Sequence, residues 1–180
     1  MPAEDRDGLR NRVRAALRDV PDFPKQGVVF KDITPVLADA TLLRNIIANM
    51  AAAWRDSGIT HVAGIESRGF ILASPVAIAL GAGFVPIRKA GKLPRRAAGR
   101  DYALEYGTGR LELHVDACPA PARVLLVDDV LATGGTAAAA CGLIEQVGGT
   151  VAGCAFLLAI DALRGIERLH QRSVDCLLHV

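Results

Sequence analysis

The sequence predicts an α/β protein: a parallel sheet with helices on both faces. Two observations carry this. Short apolar runs at 61–65, 124–127 and 151–160 alternate with longer helical stretches, and strands apolar on both sides belong to sheets covered on both faces. The chain also has 180 residues, 51% of them hydrophobic. That fits one domain, able to bury roughly 70% of its unfolded surface without disulfides or metals. A single domain over 1–180 is therefore expected.

An Arg-rich amphipathic helix is expected over 5–19. Residues 20–36, with Pro21, Pro24, Gly27 and Pro35, read as a punctuated loop. Asp39 can cap a helix running to about Ser57, where Gly58 ends it. A strand at 61–65 and a turn at 66–69 follow. The eighteen uncharged residues from Phe70 to Ile87 approach membrane-spanning length. Pro75, Gly81, Gly83 and Pro86 interrupt them, so a helix to Leu80 and a strand at 84–87 are expected instead of a span. Residues 88–110 are basic and Gly-rich, and read as a long loop or mobile hairpin. Strands at 111–115 and 124–127, a helix over 136–147, a strand at 151–160, a short helix at 161–169 and a last strand at 174–178 complete the chain.

Twenty-one basic and nineteen acidic residues give a net charge of +2, too balanced for a nucleic-acid coat or a polybasic membrane binder. Cysteines at 118, 141, 154 and 176 include no C-x-x-C pair, so no zinc pattern is present. Cys141 and Cys154 lie in apolar stretches, as buried thiols do. The charged segment from Met1 to Arg12 lacks the apolar stretch of a signal peptide. A reducing, cytoplasmic setting is expected.

The sharpest segment is VLLVDDVLATGGT, residues 124–136. A buried strand delivers Asp128 and Asp129. A turn, Ala132-Thr133-Gly134-Gly135-Thr136, then opens a helix. Glycines let the backbone approach an anion, and a helix N-terminus offers free N–H groups. Carboxylates accept well from vicinal sugar hydroxyls. The pattern suits a sugar phosphate; a capped turn with solvated acids is the plain alternative. Walker-type G-x-x-x-x-G-K-[ST], G-x-S-x-G and H-E-x-x-H patterns do not occur. Ser67 and Arg68, at the second strand end and before the helix expected from Phe70, suit a further phosphate group or a simple turn. The run 88–100 holds Arg88, Lys89, Lys92 and three more cations with no acid. It reads as an anion-binding stretch or a solvated basic face. Glu105, between Tyr102 and Tyr106 in a glycine-bounded loop, reads as a proton donor on a lid over about 90–110.

These segments together resemble the type I phosphoribosyltransferases. The stretch 124–136 resembles that family's phosphoribosyl-pyrophosphate signature. Residues 22–35 resemble its adenine-type N-terminal hood, placed at about 20–36. Segments 67–70, 87–94 and 104–107 resemble the remaining blocks, in family order. The resemblance implies the family's parallel-sheet fold and conversion of adenine and 5-phosphoribosyl 1-pyrophosphate to AMP and pyrophosphate in purine salvage. It implies that Asp128 and Asp129 hold the ribose hydroxyls and that 132–136 cradle the 5′-phosphate. Ser67, Arg68, Arg88, Lys89, Lys92 and Tyr106 are implied to meet the donor, Phe30 to stack on the base, and Val29 and Lys31 to read its edge through their backbones. Glu105 is implied to transfer the proton. Mg²⁺ is implied to bind mainly through the substrate, with no protein metal site, and the chain to form a homodimer without nucleic-acid or membrane partners. Two alternatives stand beside this reading: another base such as xanthine or guanine, or a regulator that binds the donor without turnover.

Overall fold

The computed structural model describes residues 5–103 and 108–180. In chain order the elements are α1 (Arg6–Ala16), β1 (Arg18–Pro21), β2 (Val29–Asp32), α2 (Thr34–Ala38), α3 (Ala40–Ala52), β3 (His61–Ile65) and α4 (Arg68–Leu80). Then come β4 (Gly83–Lys89), β5 (Ala97–Ala103), β6 (Thr108–His114), β7 (Arg123–Leu131), α5 (Gly135–Gln146), β8 (Thr150–Ala159) and β9 (Val174–His179). Two short 3-10 helices, Asp161–Leu163 and Gly165–Leu169, stand between β8 and β9.

Among the described residues, seven strands form one sheet in the order β5-β6-β4-β3-β7-β8-β9. The five from β4 to β9 pair in parallel. The parallel sheet the sequence predicts is therefore its larger part, with an antiparallel hairpin added at one edge. That hairpin occupies much of the stretch 88–110, for which the sequence allows a long loop or a hairpin. Its apolar content is low, but β6 alternates: Leu111 and Leu113 are buried, while Arg110 and Glu112 are not. The edge strand itself, β5, carries Arg100 and Asp101, and charged residues on an edge discourage pairing with another chain.

Strand residues alternate between two covered faces. Val62, Leu125, Val127 and Leu157 pack against Leu9 and Val13 of α1, Ile46 and Met50 of α3, and Leu72 and Val76 of α4. Ala63, Ile65, Leu126 and Phe156 pack against Ala137, Ala140, Leu143 and Ile144 of α5. The alanines of α5 thus serve close packing as well as helix propensity. Gly142 extends the same logic, because a β-carbon there would overlap the Arg100 guanidinium of β5.

Local chemistry fixes the helix ends. The Asp39 carboxylate accepts the Thr41 and Leu42 N–H groups, each at 2.9 Å, at the start of α3. That helix ends at Ala52, ahead of the expected Ser57, and the chain turns through Gly58 at φ 63°. Gly81, at φ 65°, closes α4 after Leu80 by donating to the Ala77 and Ile78 carbonyls. The first helix stops at Ala16. The segment after it, read as a loop, forms an antiparallel ribbon of β1 and β2 that stands apart from the main sheet. All four cysteines are free and buried, with the Cys141 and Cys154 sulfurs 3.6 Å apart. Among the described residues no helix is long and apolar enough to cross a membrane.

The β7–β8 register slips between Val124 and Leu125, which pair with Val151 and Gly153. A β-carbon on Gly153 would overlap the Trp54 ring and come within 3.0 Å of the Ser173 carbonyl. Gly153→Ala is expected to cost about 1–3 kcal/mol by overpacking, read from urea unfolding midpoints. An unchanged midpoint would mean that the Trp54 ring moves aside freely.

Candidate active site

β3 and β7 are adjacent and parallel, paired from His61↔Val124 to Gly64↔Val127. Their carboxyl ends therefore open on the same edge, where open α/β sheets place ligands. The residues after β3, the far half of β7, and β2 of the ribbon enclose a cavity of about 550 Å³.

The first wall is β7 itself. It does not end at Val127, as its apolar run suggests, but continues to Leu131 by pairing with the long β8: Asp128 with Phe156, Val130 with Leu158, Leu131 with Ala159. Asp128 and Asp129 thus sit on extended backbone and not in a turn. Asp129 is buried. Its Oδ2 lies 2.7 Å from Arg68 Nε but has no aligned hydrogen-bond donor. Asp128 accepts the Asp129 N–H at 2.9 Å. Burial, and then the charge of Asp129, push the Asp128 carboxyl well above the usual carboxylate range.

The second wall is the turn into α5. Gly134 has φ 78°, a conformation open to glycine, and α5 starts at Gly135 with its first N–H groups unpaired by the helix. Gly165, between β8 and β9, braces this loop. A β-carbon on Gly134 would strike the Gly165 carbonyl, and one on Gly165 would strike the Ala132 carbonyl. Ala132, Thr133, Gly134 and Thr136 line the cavity, and Gly135 is buried beside them.

The third wall comes from the end of β3 and from the ribbon. Ser67, Arg68, Lys89, Val29, Phe30 and Lys31 line the cavity. The Arg68 guanidinium carbon stands 5.0 Å from the Phe30 ring centroid, and Phe23 meets Phe30 edge-on at 5.2 Å. Lys31 is the cross-strand partner of Asp19, and its Nζ lies 2.8 and 2.9 Å from the two Asp19 oxygens. Its ammonium is committed there, and the residue also lines the cavity.

Arg88 and Lys92 are placed differently: both turn to Glu66, which in the sequence is simply the first residue of the turn at 66–69. The Glu66 carboxylate accepts the Lys89 N–H at 3.0 Å, pairs with Arg88 Nε at 3.4 Å and takes a hydrogen bond from Lys92 Nζ. Burial alone raises this carboxyl, but the bonds from Lys92, the Lys89 N–H and Arg88 outweigh it and bring it to about 2. Tyr102, another unassigned residue, lines the cavity, and its ring lies across its cross-strand partner Gly109. Glu105 and Tyr106 lie outside the described residues.

The arrangement joins an N–H-rich loop for an anion, two carboxylates for hydroxyl groups, cations for a second anion and an aromatic face. Comparisons with known proteins agree. A model of the phosphoribosyl transferase domain matches residues 36–177. The adenine phosphoribosyltransferase of Methylococcus capsulatus is 53% identical over 169 residues, 94% of this chain and 99% of that one. The crystal structure of adenine phosphoribosyltransferase from Rhodothermus marinus superposes with a TM-score of 0.92 at 48% identity, covering 97% and 99% of the two chains. That of the Saccharomyces cerevisiae enzyme, complexed with an imino-altritol bisphosphate and adenine, gives 0.89 at 37% identity, covering 95% and 99%.

The Glu66 cluster makes stability depend on pH. A carboxyl lowered to about 2 from an ordinary 4.5 stabilises the fold above pH 4.5, and that contribution is lost as pH falls toward 2. Glu66→Gln is expected to cost about 1–3 kcal/mol at neutral pH. The gap to the parent should close between about pH 4.5 and 2, as measured by thermal unfolding across that range. A gap independent of pH would show that the charge contributes nothing.

Proposed function

The chain belongs to the phosphoribosyl transferase family, and on that premise we infer that it transfers the 5-phosphoribosyl group from 5-phosphoribosyl 1-pyrophosphate to adenine, giving AMP and pyrophosphate. It is a pentosyltransferase of purine salvage. The observation that carries the reading is the meeting, in one cavity, of Asp128 and Asp129, the 132–136 loop, Arg68 with Lys89, and Phe30.

In this reading the 5′-phosphate sits on the N–H groups of 132–136, where the helix dipole and the hydroxyls of Thr133 and Thr136 favour an anion. Asp128 and Asp129 accept the two ribose hydroxyls. The adenine ring stacks on Phe30 while backbone groups of Val29 and Lys31 read its edge, so that a base with other exocyclic groups leaves polar atoms unpaired. The C1–oxygen bond to pyrophosphate breaks, the adenine N9–C1 bond forms, and the N9 proton passes to Glu105. Arg68 and Lys89 stabilise the charge that develops on the departing pyrophosphate. Ser67 and Tyr106 contact the donor.

Mg²⁺ fits as a companion of the substrate. Asp129 Oδ2 is buried without an aligned donor and can face a sugar hydroxyl or a hydrated cation. Among the described residues no three His, Cys, Asp or Glu side chains gather into a metal site, and a hard ion that prefers phosphate oxygens and water needs none. When bound, the ion neutralises pyrophosphate charge.

A homodimer in the cytoplasm completes the proposal. On α4, Ile71 and Ile78 are 44% and 79% exposed. They stand near an apolar groove lined by Leu43, Ile47, Pro75 and Ala79, a surface that suits a second copy; light scattering measures the state. Four free buried thiols support a reducing compartment.

Turnover with adenine, hypoxanthine, guanine, xanthine and orotate, each with the donor and Mg²⁺, tests the reaction and the base together. AMP from adenine is expected to dominate; preference for a 6-oxopurine overturns the adenine assignment, and donor binding without any nucleotide overturns the enzyme. Two substitutions then separate roles. Phe30→Ala is expected to raise the KM for adenine about tenfold or more, from the loss of stacking, with the donor KM little changed. Glu105→Gln should lower kcat by about 10²-fold with both KM values nearly constant, and an unchanged kcat removes Glu105 from the chemistry.

A further inference from the structure

We propose that Glu66 is a positioning residue for the departing pyrophosphate, tying Arg88, the Lys89 backbone and Lys92 into one clamp that aims Lys89 toward the cavity. The inference rests on the phosphoribosyl-transfer reading above.

The geometry begins in the sheet. Parallel pairing of Ile65 with Ile87 brings the end of β3 beside the end of β4, and the Glu66 N–H donates to the Ile87 carbonyl at 2.9 Å. The Glu66 side chain, 9% exposed, then gathers the Lys89 N–H, Arg88 Nε and Lys92 Nζ. Arg88 Nη1 closes the ring by donating to the Lys92 carbonyl at 2.9 Å. Arg88 and Lys89 at the end of β4 and Lys92 in the turn after it are thus fastened to one carboxylate, while the Ala90 and Gly91 N–H groups between them donate to the Arg110 carbonyl and the Glu112 carboxylate of β6. Of the three cationic residues, only Lys89 lines the cavity, alongside Glu66 itself and Arg68.

A carboxylate beside a pyrophosphate site is electrostatically adverse. Its benefit must come from order: long cationic side chains lose much rotamer freedom when they meet an anion, and a backbone already fixed needs no reorganisation as charge develops. The two effects have opposite signs. If Glu66 only repelled, its neutral isostere would bind pyrophosphate more tightly. If it positions Lys89, the isostere binds it more weakly.

The test measures the product-inhibition constant of pyrophosphate against the donor, with the adenine KM as internal reference, in the wild-type chain and in Glu66→Gln, Glu66→Asp, Lys92→Met and the Glu66→Gln/Lys92→Met pair. Glu66→Gln is expected to raise the pyrophosphate constant about tenfold and leave the adenine KM within about twofold; Glu66→Asp recovers part of the loss. Lys92→Met should weaken pyrophosphate less, and the double variant should match Glu66→Gln, because Lys92 acts through Glu66. Partial unfolding lowers the active fraction, and so kcat, but leaves an inhibition constant where it was. Should Glu66→Gln fail to fold, Glu66→Asp and Lys92→Met carry the comparison. An unmoved or tighter pyrophosphate constant overturns the role of Glu66, as does full additivity in the double variant. Absence of AMP formation by the wild-type chain overturns the underlying reading and the clamp with it, whereas AMP formation with an unmoved constant overturns the clamp alone.

Discussion

The close approach of Gly69 to Asp128 sets the geometry on which the site depends. A β-carbon at position 69 would come 2.6 Å from Asp128 Oδ1 and 3.2 Å from the Val127 carbonyl. Only a residue without one lets the start of α4 lie against the end of β7. That contact brings Arg68 within 2.7 Å of Asp129. The same guanidinium faces Phe30, so the ribbon of β1 and β2 is placed over the cavity by a side chain whose own position follows from the β3–β7 pairing. The sheet fixes the Asp128 and Asp129 carboxylates directly, and fixes the Phe30 ring at one remove.

The two cavity carboxyls that depart most from ordinary behaviour depart in opposite directions. Asp128 is raised by burial and by Asp129; its contribution to stability is present below the ordinary value of 3.8 and is lost as pH rises through the raised one. Glu66 is lowered by its three donors and follows the reverse course. At neutral pH the fold therefore carries an unfavourable term at Asp128 and a favourable one at Glu66. A ligand that brings hydroxyl donors to Asp128 relieves the first, and bound ligand stabilises the native state by mass action. An unfavourable term of this kind, held in the cavity wall and offset beside it, is the usual condition of a functional site.

Much of this was legible in the sequence. β3 occupies the residues its apolar run marks out, Asp39 caps α3, and Gly81 ends α4, because each depends on chemistry within a few residues. The Asp128–Thr136 segment announced itself for the same reason. What escaped depends on partners distant in sequence. β7 runs past its apolar stretch because β8 offers ladder partners as far as Ala159. The ribbon at 18–32 lacks an alternating apolar pattern: three of the four β1 residues are exposed, and Pro21 stands at its end, so only pairing with β2 makes it a strand. Glu66 looked like a turn residue because its partners lie 22 to 26 positions onward, brought near by parallel register alone. Gly165 likewise braces Gly134 from 31 residues away, with no local pattern to mark it.

The three chemical tasks are divided among structural units of different independence. The ribbon that carries Val29, Phe30 and Lys31 is its own two-stranded sheet, so substitutions there alter one wall of the cavity without disturbing the ladders of the main sheet. The carboxylates lie on β7, a strand paired on both sides for much of its length, where a shift of one residue would exchange Asp128 and Asp129 between faces. The anion loop lies between these extremes, free in its own backbone but braced by Gly165. On the adenine-transfer reading proposed above, base preference is therefore the property most open to change by local substitution, and recognition of the phosphorylated sugar is bound to the integrity of the sheet.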